Sequence, residues 1–417
     1  MARTVSLGTR CTILTAGVVL VASVLVSCAD AEMPAAKGCA PLERPEPNAR
    51  DQRPAFAGQT RACADRSNVA FDVVVLAKGL EKPWAVEPLP NGDLLVTEKV
   101  GKMRIVTAKG DTGDAIAGVP AVDARGQGGL LDVALSPGFP TDNTVYWSYS
   151  EPRQGGNATS VARGVLSADR ARLADVRVIF RALPVYDGDK HYGSRLAFGP
   201  DGMLYVTLGE RSDKPMRPQA QQLDSHMGKI VRIAPDGSVP PDNPFANRKG
   251  ALPEIWSIGH RNVQAAAFDP QGRLWEVEHG TRGGDELNLI ERGRNYGWPV
   301  VAYGVEYSGQ SIRGAVTARD GTEQPIYYWD PVIAPSGMQF YTGDAFPAWR
   351  DSVFIGGMKA TSLVRLKLDG ATVAGEEHLL TDRGQRIRDV RQGPDGFVYL
   401  LTDEANGVIA RLEPEKG

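Results

Sequence analysis

One histidine stands at a position where proton transfer would be useful. The chain has only five histidines, and His191 lies in the segment KHYGSRL at 190–196, directly before a turn-rich stretch. An imidazole there could act as a general base, because its ordinary pKa lies close to neutral. The alternative is a histidine that merely fills a core or surface position, and this segment alone does not decide between them.

A second segment combines glycines with carboxylates. It reads EHGTRGGDELN at 278–288 and contains Glu278, Asp285 and Glu286. Glycines allow backbone carbonyls to approach a ligand, and carboxylates and carbonyls are hard oxygen ligands that suit Ca²⁺ better than Zn²⁺. The spacing of the acids differs from that of an EF-hand. The segment therefore indicates a calcium site of another kind.

Basic residues near the end of the chain suit an anionic ligand. Arg386 and Arg388 flank Ile387, and in a strand this alternation places both guanidinium groups on one face. Together with Lys359 from the preceding repeat they could clamp a polyanion. The alternative is a solvated rim of positive charge.

The elements that must position these residues repeat along the chain. Each copy has an apolar residue, a short turn of Pro, Asp, Asn or Gly, and then alternating strand residues. The clearer copies begin at Leu89, Phe198, Phe268 and Gly393, and looser ones begin at Leu135 and Ala348. One unit in about 55–60 residues suits a four-stranded blade with an insertion. The pattern predicts an all-β fold, a six-bladed β-propeller of four-stranded blades, over 69–417.

The N-terminal region predicts export. Arg3 and Arg10 precede an uncharged apolar stretch at 12–26, and the tetrapeptide LVSC that ends at Cys28 resembles a bacterial lipobox. Residues 1–27 are therefore predicted to be a lipoprotein signal peptide, with Cys28 lipidated. We expect a periplasmic protein anchored to a membrane by that lipid alone, with the outer membrane favoured. The alternative is an ordinary secretory signal with a chance cysteine.

Residues 28–68 are rich in Pro, Ala and Arg and lack hydrophobic periodicity. We interpret them as a flexible tether between membrane and propeller. Cys39 and Cys63 bracket much of this segment, and an oxidising compartment would allow them to pair, although two free thiols remain the alternative. The chain as a whole has 47 basic and 50 acidic residues, so no nucleic-acid partner is expected.

In their order and spacing these motifs resemble one family, the soluble aldose sugar dehydrogenases that depend on pyrroloquinoline quinone (PQQ). These are relatives of soluble glucose dehydrogenase. The resemblance extends from about Val69 to Leu412. The motifs that carry it are GQGGLLD (126–132), HYGSRL (191–196), GHRN (259–262), EHGTRGGDE (278–286), NYGWP (295–299), APSG (334–337) and RIR (386–388).

The resemblance implies PQQ and Ca²⁺ as cofactors, aldose sugars as substrates with broad specificity, and an external electron acceptor. The C1 hydroxyl would be oxidised to a lactone by hydride transfer to PQQ. His191 would be the base that takes the hydroxyl proton, and Arg261 would stabilise negative charge on the quinone. The further cofactor contacts that it implies are Gln127, Asn262, Tyr307, Lys359, Arg386 and Arg388.

The resemblance also implies two calcium sites. Gly280 and Thr281 would offer backbone carbonyls to an ion that also binds PQQ, and Glu286 and Tyr296 match a second, structural site. The chain departs from the glucose enzyme at Lys190, where that enzyme has an aspartate that orients the base.

Two other functional classes remain open. A Ca²⁺-dependent propeller lactonase would need three or four side-chain ligands that converge on the central axis, and Glu278, Asp285 and Glu286 do not supply such a set. A non-catalytic interaction propeller would not need His191 and Arg261, and their presence argues against it.

Overall fold

Twenty-four strands of the described residues form six antiparallel sheets of four strands each. The computed structural model describes Cys39, Leu42 and residues 45–415, all within one unit, Ala36–Gly417. The predicted signal peptide and Cys28 lie outside the described residues. The six sheets surround a common centre as blades, so the predicted all-β six-bladed β-propeller is confirmed.

The strands follow one another from blade to blade. After β1 (Phe71–Glu81), the first blade contains β2 (Pro83–Pro88), β3 (Leu94–Glu98), β4 (Lys102–Val106) and β5 (Thr112–Ala115). The second contains β6 (Leu130–Leu135), β7 (Thr144–Arg153), β8 (Gly156–Leu166) and β9 (Leu173–Arg181). The third contains β10 (Leu196–Phe198), β11 (Leu204–Thr207), β12 (Lys229–Ile233) and β13 (Ile255–Ile258).

The fourth blade contains β14 (Val263–Phe268), β15 (Leu274–Glu278), β16 (Asp285–Ile290) and β17 (Tyr327–Trp329). The fifth contains β18 (Pro335–Phe340), β19 (Ser352–Gly357), β20 (Ser362–Asp369) and β21 (Thr372–Leu379). The sixth contains β22 (Ile387–Gln392), β23 (Val398–Thr402) and β24 (Asn406–Pro414), and β1 pairs antiparallel with β24 as its outermost strand. The N-terminal strand of the propeller thus completes the sheet formed by its C-terminal strands, which closes the ring.

Helices are short and few among the described residues. One α-helix covers Phe139–Asp142, and 3₁₀ helices cover Arg217–Gln221, Pro347–Trp349 and Thr381–Arg383. The Pro-Asp-Gly turns of the repeat join the first two strands of the third and sixth blades. Gly202 and Gly396 have φ values of 74° and 77° there, a conformation that other residues adopt only with strain.

The first strands of the blades, β2, β6, β10, β14, β18 and β22, lie around the centre and contact one another. Large apolar side chains fill the space between adjacent sheets, and Trp147, Trp275, Trp329 and Trp349 are fully buried. This packing fixes where each central strand begins. Every central strand begins at the same face of the ring, and the second strand of each blade, which is antiparallel to it, ends there. The loop before the central strand and the loop after the second strand therefore meet at that face.

The segment predicted to be a flexible tether differs from that expectation. Residues 45–68 lie against the propeller: Gln59 is fully buried, and Ala64 forms a bridge with Glu376 of β21. A disulfide joins Cys39 to Cys63, the pairing that the sequence left open. The segment has no hydrophobic periodicity because polar contacts to other loops hold it. No helix among the described residues is long and apolar enough to cross a membrane.

Candidate active site

His191 and Glu210 form a hydrogen-bonded pair at the start of the third blade. His191 lies before β10 and Glu210 follows β11, so the two loops meet at the shared face. The Nδ1 atom of His191 is 3.0 Å from Oε1 of Glu210, and both side chains are buried. Since a carboxylate only accepts, Nδ1 carries the proton and Nε2 is left as the basic nitrogen. Oε2 of Glu210 accepts a hydrogen bond from the backbone of Ser212 at 2.7 Å.

The surroundings of His191 favour the neutral imidazole. Burial lowers its pKa, the nearby charge of Arg261 lowers it further, and Glu210 opposes both effects. Lys190 does not take part: its ammonium pairs with Asp189 at 2.8 Å on the exposed side of the loop. Glu210 therefore orients the base, and the lysine at position 190 leaves that role unaffected.

Gln127 and Asn262 hold the loop that carries His191. Oε1 of Gln127 accepts the backbone N–H of His191 at 2.8 Å, and Oδ1 of Asn262 accepts that of Gly193 at 3.2 Å. The loop needs this support because His191 has a φ of 48°, which is uncommon for a non-glycine residue. The structure thus brings together His191, Gln127 and Asn262, and it shows Gln127 and Asn262 bound to the main chain of the loop that carries His191.

Arg261 is buried at the same face, ahead of β14. Its Nη1 donates to the carbonyl of His279 at 2.9 Å, and its guanidinium lies 5.2 Å from the ring centre of Trp298. Tyr307, two-thirds exposed, places its hydroxyl 3.4 Å from Nη2 of Arg261. Within the part of the chain that the structure describes, Nε of Arg261 has no hydrogen-bond partner. The guanidinium therefore keeps capacity for an anionic group.

A cavity of about 350 Å³ opens at the centre of this face. Three cationic side chains line it, Lys99, Arg386 and Arg388, together with one carboxylate, Asp403. Both arginines bind that carboxylate, at 2.6 Å from Arg386 and 2.5 Å from Arg388. Burial alone would raise the pKa of Asp403, but the two arginines hold it at about 2. The wall thus carries an excess of positive charge in fixed positions, which suits a ligand with several carboxylates.

Of two further residues, His279 lines the cavity and Lys359 only adjoins a residue that does. Lys359 is exposed and directly follows Met358, which lines the cavity. His279 lines the cavity, and its Nε2 lies 2.7 Å from the carbonyl of Pro335. Burial lowers the pKa of His279 to about 3, which makes it a much weaker base than an ordinary histidine.

Asp285 holds the glycine-rich loop that contains Gly280 and Thr281. Its Oδ1 accepts the backbone N–H of Gly280 at 2.8 Å, and its Oδ2 accepts that of Ala334 at 2.7 Å. Burial raises the pKa of Asp285 to about 7. The hydroxyl of Thr281 donates to the carbonyl of Val305 at 2.6 Å. Asp285 is therefore a support of the loop, and the backbone carbonyls of Gly280 and Thr281 remain the oxygens suited to an ion.

A buried cluster of carboxylates lies behind this loop in the fourth blade. Ligand atoms of His260, Glu276 and Glu278 lie within 4.8 Å of one another. Burial raises the pKa of Glu276 well above its usual range, and the charge of Glu278 raises it further. Among the described residues, Oε2 of Glu276 and Oδ1 of Asn288 have no hydrogen-bond partner. Unpaired oxygens beside crowded carboxylates are what a hard divalent cation would satisfy.

Glu286 and Tyr296 meet at the same place. Both line a small cavity of about 10 Å³ that Glu278 and Gly280 also line, enough for one ion or water. The Tyr296 hydroxyl donates to the carbonyl of Leu289 at 2.7 Å, so an ion would use other atoms of that residue. Glu276 and Glu278 belong to β15, the second strand of the fourth blade. Among the described residues, the one group of three histidine or acidic side chains close enough to hold a single ion is His260, Glu276 and Glu278, and none of the three belongs to a central strand.

Comparison with known proteins identifies the family of this fold and site. Residues 80–411 match the family described as Glucose / Sorbosone dehydrogenase. The chain belongs to the glucose/sorbosone dehydrogenase family. The resemblance predicted from the motifs is thereby confirmed.

Named members of the glucose/sorbosone dehydrogenase family are similar over most of their length. An aldose sugar dehydrogenase of Escherichia coli is 45% identical over 82% of this chain and 93% of its own. The quinoprotein glucose dehydrogenase B of Acinetobacter calcoaceticus is 29% identical over 81% and 86%. The structure of the PQQ-bound aldose sugar dehydrogenase of Streptomyces coelicolor has a TM-score of 0.69 at 32% identity, covering 84% of this chain and 99% of that one.

Sequence reasoning missed several residues of this family member's site. Glu210, Asp403 and Lys99 were not predicted. Glu210 binds the predicted His191 and Asp403 binds the predicted Arg388, whereas Lys99 lines the same cavity as the predicted arginines. Glu210 is separated from His191 by 19 positions, and no local motif marks it. Its position after β11 was the one signal for a place near His191, because the loop after β11 and the loop before β10 lie at the same face of the ring.

Proposed function

We propose that this protein is a quinoprotein that oxidises the C1 hydroxyl of aldose sugars to lactones by hydride transfer to PQQ. The observation that carries the proposal is the cationic cavity beside a buried, neutral histidine. Lys99, Arg386 and Arg388 provide the positive charge, and His191 provides the base. Broad sugar specificity and an external electron acceptor complete the proposal.

The residues of the cavity fit the cofactor. Arg386 and Arg388 would bind carboxylates of PQQ, with Lys359 at the edge as a further cation. The free Nε of Arg261 supports the assignment of this guanidinium to a developing negative charge. Tyr307, Gln127 and Asn262 would contact the cofactor or keep the residues around it in place.

When bound, PQQ would supply the two-electron acceptor for the hydride of the sugar C1. His191 would accept the proton of the sugar C1 hydroxyl at Nε2. Glu210 keeps the proton of the free enzyme on Nδ1, so Nε2 is available to accept. As the imidazole becomes charged, the carboxylate 3.0 Å away would stabilise it.

Two calcium ions fit the oxygens described above. The backbone carbonyls of Gly280 and Thr281 would hold one ion next to the cofactor. The second would lie among Glu276, Glu278 and Glu286, with the main chain of Tyr296 in reach. Support for this second site comes from the unpaired oxygens and the raised pKa values of Glu276 and Glu286.

Location is a separate proposal that rests on the sequence alone. Residues 1–27 would direct export, and Cys28 would carry a lipid that anchors the mature protein, with the outer membrane favoured. Cys28→Ala should move the protein from membranes to the soluble fraction. Mass spectrometry that finds an unmodified mature N-terminus at another residue would exclude the anchor.

A titration separates the three functional classes. Apoprotein is titrated with PQQ and Ca²⁺, followed by absorbance, and an aldose is then added without an electron acceptor. A dehydrogenase binds PQQ and shows stoichiometric bleaching of the oxidised cofactor, with lactone detected by NMR. Lactone hydrolysis with Ca²⁺ but no PQQ would indicate a lactonase, and absence of both would indicate an interaction propeller.

A further inference from the structure

Residues 45–65, which we call the strap, precede the stretch 80–411 that matches the family. The strap nevertheless makes specific contacts with the propeller. Gln59 is buried and donates to the carbonyl of Pro325 at 2.9 Å, and the backbone of Ala62 donates to the Tyr327 hydroxyl at 2.8 Å. Asp65 pairs with the buried Arg365. The strap is therefore a fixed part of the described structure.

The first contact of interest is a paired amide contact between Gln52 and Gly304. Nε2 of Gln52 donates to the carbonyl of Gly304 at 3.1 Å, and the N–H of Gly304 donates to Oε1 at 2.7 Å. Gly304 is buried. Without Gln52, the backbone groups of Gly304 would lose both partners away from bulk water.

The second contact is made by Asn48. Its Oδ1 accepts from Nε of Arg282 at 2.8 Å. Its backbone N–H and its Nδ2 both donate to Oδ1 of Asp330, at 2.9 and 2.8 Å, and the N–H of Ala49 donates to Oδ2 at 2.9 Å. The strap thereby joins Arg282 to Asp330.

The two contacts lie on opposite sides of the loop that contains Gly280 and Thr281. On one side, Val305 follows Gly304 and exchanges two backbone hydrogen bonds with Arg282, at 2.9 and 3.0 Å. On the other, Gly283 lies so close to Asp330 that an added Cβ would be 2.6 Å from its Cγ. The loop is thus enclosed between two walls, and the strap hydrogen-bonds to both.

We propose that Asn48 and Gln52 are positioning residues for the calcium- and cofactor-binding loop. The inference rests on the proposed function in one respect, that Gly280 and Thr281 present their carbonyls to Ca²⁺ beside PQQ. By holding both walls, the strap restricts the loop to the conformation that binds. Binding to a loop that visits other conformations is weaker in proportion to the fraction that is competent.

The test uses Asn48→Ala, Gln52→Ala and the double variant of the full chain. Arg50→Ala is the matched control, because Arg50 is an exposed strap residue. Hydrogen–deuterium exchange of the apoprotein measures protection of the amides at 279–284 and 303–305. We expect exchange about fivefold faster or more in the double variant, with wild-type exchange in the blades and in the control.

Titration with PQQ and Ca²⁺, followed by absorbance, provides the second measurement. We expect the concentration for half-saturation to rise about fivefold or more in the double variant, while kcat at saturation stays near wild type. Wild-type exchange in these loops, or faster exchange with unchanged half-saturation, would overturn the inference. If the wild-type protein binds Ca²⁺ but not PQQ, the proposed function is refuted. If the wild-type protein binds neither PQQ nor Ca²⁺, the role of the strap is refuted as well.

Discussion

The imidazole of His191 hydrogen-bonds through Nδ1 to the buried carboxylate of Glu210, at 3.0 Å. The pair joins the loop before β10 to the loop after β11, so the geometry of the base is set by the closure of one blade. In a histidine oriented in this way, Nδ1 donates to the carboxylate and Nε2 can accept a proton. Its tautomer and its basicity both depend on the carboxylate.

Glu210→Gln should lower kcat/KM and shift its pH dependence. Glu210 raises the pKa of His191 against burial and Arg261, so its loss lowers that pKa. The acidic limb of kcat/KM should therefore move to lower pH, while the plateau falls because the base is weaker. The pH profile of cofactor reduction measures both effects. A reduced plateau with an unmoved limb would show that Glu210 acts only on the fold.

Arg388→Ala should weaken PQQ binding. Removing one cation that pairs with a ligand carboxylate costs about 2–5 kcal/mol, roughly 30-fold or more in affinity. Activity should largely return when PQQ saturates. Arg383→Ala, an exposed arginine five positions earlier, is the control and should bind PQQ as the wild type does. Equal half-saturation in Arg388→Ala and the control would remove Arg388 from the cofactor site.

Calcium should stabilise the protein even without PQQ. An ion among Glu276, Glu278 and Glu286 would relieve the repulsion between buried carboxylates, and at 100 times its Kd it adds about 2.7 kcal/mol to the free energy of unfolding. Thermal unfolding with Ca²⁺ and with chelator measures this. Glu276→Gln should reduce the effect, whereas Glu291→Gln, at an exposed carboxylate, should keep it. An equal calcium effect in both variants would place the ion elsewhere.

Glu87 of the central strand β2 predicts a pH-dependent stability. Burial raises the pKa of Glu87 to about 7, with the carboxylates of Asp132 and Asp389 adding to it and Arg391 opposing. The folded protein therefore retains a proton that the unfolded chain releases near pH 4.5, so stability is lost as pH rises from there to about 7. Glu87→Gln should remove about 1–3 kcal/mol of this loss, measured by urea unfolding with Ca²⁺ at about pH 5 and about pH 8. An unchanged difference would assign it to other groups.

The fold and the main site residues could be predicted because both are locally encoded. The turn repeat marks the blades, and His191, Arg261 and Arg388 lie in motifs that adjoin central strands. Glu210 and Asp403 could not be predicted in the same way. Each acts on a residue 15 or more positions away through a contact that exists only once two strands of a blade have paired.

The strap was misinterpreted for a related reason. A segment that lacks hydrophobic periodicity normally indicates a tether. Residues 45–65 are held instead by polar side chains that satisfy backbone groups of distant loops, such as Gln52 at Gly304. Contacts of that kind leave no periodic pattern in a single sequence.

The central claim is that Nε2 of His191 accepts the substrate proton. His279→Gln provides a comparison at the histidine that lines the cavity, and it should lose much less activity. The direct measurement is the single-turnover rate of cofactor reduction in His191→Gln, with PQQ, Ca²⁺ and aldose all saturating. We predict a rate lower by about 10²–10⁴-fold with PQQ affinity near wild type. A wild-type rate in His191→Gln would contradict it.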